Sequence, residues 1–212
     1  HVLSGNHAMV VMPTGMGKSL CYQIPALTTS GRELVLVLSP LIALMQDQVD
    51  ALRNRGVDAT YINSSLDRQA RLQRYDDIAA GKYRLVYVTP ERFRKQEFTE
   101  VLSRRQVSLL AVDEAHCVSQ WGHDFRPDYS RLAEIRQQVG NPTTIALTAT
   151  ATAQCRQDIY RQLGLKPSEI KLFHEGIDRP NLTIEVTECW DDDSKLEAIQ
   201  HTLQRQEYLG GS

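Results

Sequence analysis

Hydrophobic positions gather into six short apolar runs, at residues 8–12, 34–38, 59–62, 85–88, 109–112 and 144–147. Runs of this length are too short for buried helices and fit strands covered on both faces. Between them lie amphipathic stretches of helical length at 41–53, 66–80, 90–102 and 153–163, and Gly56, Gly81 and Gly164 stand where helices would end. Strand and helix alternate, which predicts an α/β fold: a doubly wound, mainly parallel sheet with helices on both faces. In that architecture ligands bind beyond the carboxyl ends of the strands. Chemistry-bearing residues are expected there.

Composition narrows the picture by exclusion. With 212 residues, 42% hydrophobic and 24% charged, the chain has the make-up of an ordinary globular domain, not of a disordered, collagenous or coiled-coil one. Cys21, Cys117, Cys155 and Cys189 form no C-x-x-C pair, a spacing that suits neither a zinc site nor a disulfide scaffold. A reducing, cytoplasmic setting is expected, or a nuclear one in a eukaryote, and nothing points to a membrane. Lys and Arg number 24 against 26 Asp and Glu, so bulk charge offers no argument for a nucleic-acid partner. Both ends look cut: residues 1–6 read as the last turn of a helix and its exit, and 208–212 as a linker or the entrance to a next domain.

Two segments carry candidate chemistry. Residues 12–19, Met-Pro-Thr-Gly-Met-Gly-Lys-Ser, follow the first apolar run and open a helix expected over 18–27, interrupted by Pro25. Gly15 and Gly17 allow backbone conformations in which successive N–H groups form an anion-binding nest at a helix start. Lys18 would reach the β- and γ-phosphates and Ser19 would coordinate Mg²⁺. Met12 stands where the general G-x-x-x-x-G-K-[ST] pattern has glycine, and the competing reading is a flexible turn. The second segment is Asp113-Glu114-Ala115-His116, directly after an apolar strand. Two carboxylates there are costly unless a cation or solvent receives them. Asp113 suits a Mg²⁺ ligand and Glu114 suits the group that orients and deprotonates attacking water; alone, the pair could simply cap a helix.

With these motifs in this order the chain resembles the RecQ family of superfamily 2 DNA helicases. Residues 12–26 resemble motif I, where the superfamily tolerates a non-glycine first position; 39–48 resemble motif Ia, 89–92 motif Ib, 113–116 the DEAH box and 148–150 motif III. Residues 119–129, Ser-Gln-Trp-Gly-His-Asp-Phe-Arg-Pro-Asp-Tyr, resemble the aromatic-rich loop that follows motif II in that family. Trp121 and Phe125 offer faces for base stacking, worth about 1 to 3 kcal/mol per base, and Arg126 can meet a phosphate. Aromatic side chains are, however, more often core than ligand site.

The resemblance implies the first RecA-like motor lobe of a P-loop NTPase, over residues 1–187, with 188–212 leading toward a second lobe. It implies ATP and Mg²⁺ as cofactors, with Thr14, Gly15, Met16, Gly17, Lys18, Ser19 and Leu20 around the nucleotide, Ser19 and Asp113 on the metal, and Lys18, Asp113 and Glu114 in hydrolysis. It implies single-stranded and forked DNA as partners, with contact or coupling through Pro40, Leu41, Thr89, Pro90, His116, Gln120, Trp121, Phe125, Arg126, Thr148 and Thr150. The implied activity is ATP-driven 3′ to 5′ translocation and duplex unwinding in DNA repair and recombination. Residues 178–182 resemble the segment that closes the lobe. An adenine-recognising motif, the second lobe with its arginine finger, a zinc-binding region and a winged helix have no counterpart in the sequence. An RNA helicase of a related branch and a non-catalytic nucleotide- or DNA-binding module are the alternatives. Arg68, Arg71 and Arg74, and Arg92, Arg94 and Lys95, are either solvated helix faces or DNA contacts.

Overall fold

The computed structural model describes residues 1–28, 33–119, 126–174 and 185–208, the last four of these by backbone alone. The chain divides into two compact units, His1–Ile177 and Asp178–Ser212. The first holds seven strands: β1 (His7–Val11), β2 (Glu33–Leu38), β3 (Ala59–Ile62), β4 (Leu85–Val88), β5 (Gln106–Val112), β6 (Thr143–Thr148) and β7 (Ile170–His174). They form one sheet in the order β3-β4-β2-β5-β6-β1-β7, every described pairing parallel. The six apolar runs are its first six strands.

Alternate residues of each strand point to opposite faces, and two separate cores result. Ala8, Val10, Val35 and Val37 pack with Tyr22 and Ala26 of α1 (Leu20–Thr28) and with Met45, Val49 and Leu52 of α2 (Ile42–Arg53). Met9, Val11, Leu34, Leu36 and Leu38 face the other way, toward α3 (Arg68–Ala79), α4 (Gln96–Ser103), α5 (Leu132–Gln138) and α6 (Ala153–Leu163). The expected doubly wound architecture is therefore present, with helices on both faces. The segment 90–102, expected as one helix, is two: a 3-10 turn at Pro90–Arg94 and then α4, separated at an extended Lys95 (φ −99°, ψ 113°).

The seventh strand has no counterpart among the apolar runs. Only Ile170 of β7 is buried, because β7 lies at the sheet edge beside β1 and shows most of its side chains to solvent. At the chain start, Val2–Ser4 is a 3-10 turn ended by Gly5 at φ 79°, close to the helix exit the sequence suggests. The second unit contains α7 (Asp192–Tyr208). Its start is closed by a reciprocal pair of bonds, Ser194 N to Asp191 Oδ1 at 2.8 Å and Asp191 N to Ser194 Oγ at 3.2 Å. No described helix is long and apolar enough to cross a membrane.

Candidate nucleotide site

The phosphate-loop segment leaves the carboxyl end of β1 and is held to β6 at its start, where Met12 N donates to Thr148 O at 3.1 Å. Gly15 and Gly17 take φ values of 86° and 83°. A Cβ at Gly15 would meet nothing within 4 Å, so conformation, not space, requires glycine there. The helical bonds begin before α1 itself, with Leu20 N to Gly17 O at 2.9 Å and Cys21 N to Lys18 O at 3.0 Å. Among the described residues the N–H groups of Gly15, Gly17, Lys18 and Ser19 have no backbone acceptor. That is a row of donors at the positive end of a helix. Lys18 Nζ donates to Met12 O at 3.1 Å, folded back over the loop.

Two strands away, β5 delivers Asp113 to the same sheet edge, anchored by its N–H to Leu38 O at 2.8 Å. Its side chain is buried, and burial first, then the adjacent Glu114 charge, push its carboxyl up to about 6; the Glu114 N–H bond and Lys18 pull the other way. A buried carboxylate that resists ionisation is a group suited to a cation. Glu114 sits in the left-handed region at φ 48°, ψ 45°, uncommon for a residue with a side chain. It approaches His116 Nδ1 at 3.3 Å through Oε2, and the same nitrogen lies 3.0 Å from Thr148 Oγ1. The Thr148 hydroxyl donates to Thr150 O at 2.9 Å, so toward His116 it can only accept. The hydrogen therefore belongs on His116 Nδ1. The DEAH segment and the motif III segment are joined through that imidazole.

Thr14, Gly15, Gly17, Lys18, Ser19, Asp113 and Glu114 line one cavity of about 320 Å³. Residues almost a hundred positions apart in the chain thus meet where the fold class leads one to look. Met16 and Leu20, expected near the nucleotide, are half-exposed and do not line it. Tyr22 of α1 and Leu44 and Gln48 of α2 do. The site-residue expectation omits them, although Leu44 and Gln48 stand one helical turn apart, a spacing that presents both to one face.

The residues expected at a nucleic acid are disposed unevenly. Leu41 and Thr150 are exposed, whereas Pro40, Thr89, Pro90 and Thr148 are buried. Thr89 Oγ1 is buried without a hydrogen-bond partner. Arg126 turns inward, Nη1 donating to Pro40 O at 2.9 Å, which fastens the stretch after the DEAH box to the start of α2. Gln120, Trp121 and Phe125 lie outside the described residues, as do 178–182. Of the arginines, Arg74 is structural: it stacks 4.2 Å over the Tyr61 ring and donates to Tyr61 O at 2.8 Å. Arg71, Arg92, Arg94 and Lys95 instead converge on one cavity of about 530 Å³. Among the described residues no group of three His, Cys, Asp or Glu could hold a metal ion.

Residues 1–159 match the family model described as DEAD/DEAH box helicase. The ATP-dependent DNA helicase RecQ of Haemophilus influenzae is 46% identical over 180 residues, 85% of this chain and 28% of that protein. The protein of the same name from Bacillus subtilis is 48% identical over 177 residues, 83% of this chain and 29% of that one. The chain thus spans under a third of the length of these curated relatives. Among solved structures, the helicase MrfA bound to DNA aligns with a TM-score of 0.62 at 20% identity, over 82% of this chain and 24% of the other, a likeness of fold. The matched family model covers both the phosphate loop and the acidic strand end that share the cavity, and the RecQ resemblance read from the motifs is matched by relatives of that name: this chain belongs to the DEAD/DEAH box helicase family.

Proposed function

We propose that this chain is the ATP-binding motor lobe of a RecQ-type DNA helicase, which couples ATP hydrolysis to 3′ to 5′ translocation on single-stranded DNA and to duplex unwinding in repair and recombination. The observation that carries the reading is the shared cavity, in which Lys18 and Ser19 face Asp113 and Glu114. On this reading the N–H groups of residues 15–19 hold the phosphates. Lys18 leaves Met12 O for them, a short swing for a long side chain. Ser19 and Asp113 hold Mg²⁺, whose chemistry when bound is to neutralise phosphate charge. Asp113 would give up its proton to serve as that ligand, since burial opposes the bare carboxylate charge and not one paired with a cation. Glu114 orients and deprotonates the attacking water, its carboxylate aimed by the turn at φ 48° and by His116.

The link from Glu114 through His116 to Thr148 and Thr150 offers a route by which a strand at Thr150 and Leu41 affects hydrolysis. The cavity on which Arg71, Arg92, Arg94 and Lys95 converge, with Glu97 and Glu100 also on its wall, carries a cationic excess that supports a phosphodiester partner. DNA in preference to RNA is supported by the names of the relatives. We assign residues 1–187 to the lobe and 188–212 to a connection toward a second one.

The test is nucleotide binding by calorimetry and phosphate release with and without single-stranded DNA. Lys18→Ala should weaken MgATP binding at least tenfold, about 1.4 kcal/mol; unchanged affinity would overturn the nucleotide reading. In the helicase that contains this lobe, Glu114→Gln should bind MgATP as before and release phosphate roughly a hundredfold more slowly.

A further inference from the structure

One polar cluster in the first core belongs to none of the motif roles assigned above. Behind the phosphate loop, Gln23 Nε2 donates to Gln48 Oε1 at 2.8 Å and to Tyr87 OH at 3.3 Å. The Tyr22 and Tyr87 rings meet edge to face at 6.0 Å. Tyr22, Gln23 and Tyr87 are all buried. Burying so many polar groups is costly, and an apolar set of the same shape would pack at least as well. Packing alone does not account for them.

The cluster fixes one side chain that reaches the cavity. The amide of Gln23 has two hydrogens, and both are committed, one to Gln48 and one to Tyr87. With Oε1 of Gln48 held as an acceptor, its Nε2 points away from Gln23 within the amide plane. Gln48 is half-buried and lines the cavity together with Lys18, Ser19, Asp113 and Glu114. Its own Nε2 has no acceptor among the described residues. Two neutral donors are thus presented, in a fixed orientation, to a space whose wall also carries a lysine, hydroxyls and two carboxylates. The end of the cavity can also be identified. Tyr22 and Gln48 line the cavity together with Asp113 and Glu114, the residues read above as holding the metal and the attacking water, so the cluster stands where the last phosphate of a nucleotide would lie, not the first, if the loop N–H groups hold the chain.

We propose that Gln48 is a ligand-binding residue for the terminal phosphate of a nucleoside triphosphate, its amide aimed by the buried Gln23–Tyr87–Tyr22 cluster. This rests on the nucleotide reading above and deepens it. The donor belongs to α2, the helix whose start carries Leu41 and whose Pro40 carbonyl is held by Arg126. Gain or loss of a terminal phosphate therefore acts on α2 directly.

The test compares affinities of the 212-residue chain for a non-hydrolysable MgATP analogue and for MgADP, with thermal melts alongside. Gln48→Met removes the donors at similar size, and the analogue should bind roughly fivefold to tenfold more weakly while ADP affinity changes less than about twofold. Gln48→Glu keeps an acceptor for Gln23 but turns a carboxylate toward the phosphate, and should lose the analogue still more selectively. An unchanged ratio of the two affinities in both variants, or an equal loss of both nucleotides, would overturn the assignment. Lys18→Ala separates the two readings: if it leaves binding intact, the nucleotide site itself is wrong, whereas if it abolishes binding while the Gln48 variants keep the wild-type ratio, only the role of Gln48 fails.

Discussion

Asp113 gives the site a measurable dependence on pH. Its folded carboxyl is raised from 3.8 to about 6 by burial and by the neighbouring Glu114, so the folded chain binds that proton more tightly than the unfolded one. The stability this confers is full below pH 3.8 and is lost as pH rises to about 6; the loss amounts to about 3 kcal/mol. Asp113→Asn keeps an oxygen for the Glu114 N–H and carries no charge. Without nucleotide it should melt at a higher temperature than wild type at pH 7.5 and at the same temperature near pH 4, while Mg²⁺-dependent nucleotide binding weakens. Melts across that range check the sign. None of this was legible in the sequence beyond the presence of two carboxylates after an apolar run. Burial of Asp113, the left-handed turn at Glu114 and the hydrogen on His116 Nδ1 depend on what β2 and β6 bring alongside. Lys18, Ser19, Asp113 and Glu114 could be named because their spacing and their place after apolar strands are local properties. Gln48 could not be placed, since its role turns on Gln23 and Tyr87, distant in the chain.

Among the elements, α6 was legible to the residue, and its start shows why. Thr152 caps it, Oγ1 accepting from Cys155 N at 3.2 Å, and Gly164 closes it at φ 64°. Both ends are written in local chemistry. Thr152→Ala should cost about 1 kcal/mol, a modest fall in melting temperature with nucleotide affinity preserved, because α6 packs on the face opposite the cavity-lining α2. A larger loss, with affinity falling too, would mean that α6 holds the Thr148–Thr150 turn in place. Other elements escaped, and two of them show why. The strand β7 hides because an edge strand needs little apolar content, and only its pairing with β1 defines it. The break at Lys95 hides because a 3-10 turn and an α-helix share an amphipathic pattern over so few residues.

At the scale of the whole first unit, the sheet order matters more than any strand. The phosphate loop follows β1 and the acidic pair follows β5, and β6 lies between them, paired to both. Adjacent strands stand about 4.8 Å apart, so the two halves of the site are separated by two spacings, about 9.6 Å at the backbone. Loops at the opposite edge do not enter that distance. The exposed turn at Gly140 and Asn141, both at positive φ, leads into β6 from the far end. A short glycine-serine insertion there should leave nucleotide affinity unchanged, as a titration can check, whereas one extra residue within β6 would turn its side chains to the wrong faces and abolish folding. The spacing has a consequence for how such a site can vary. Its breadth at the strand ends comes in whole strands, like a slot milled to a fixed gauge. Substitution can re-line the slot, but its bore was settled when the sheet was laid down.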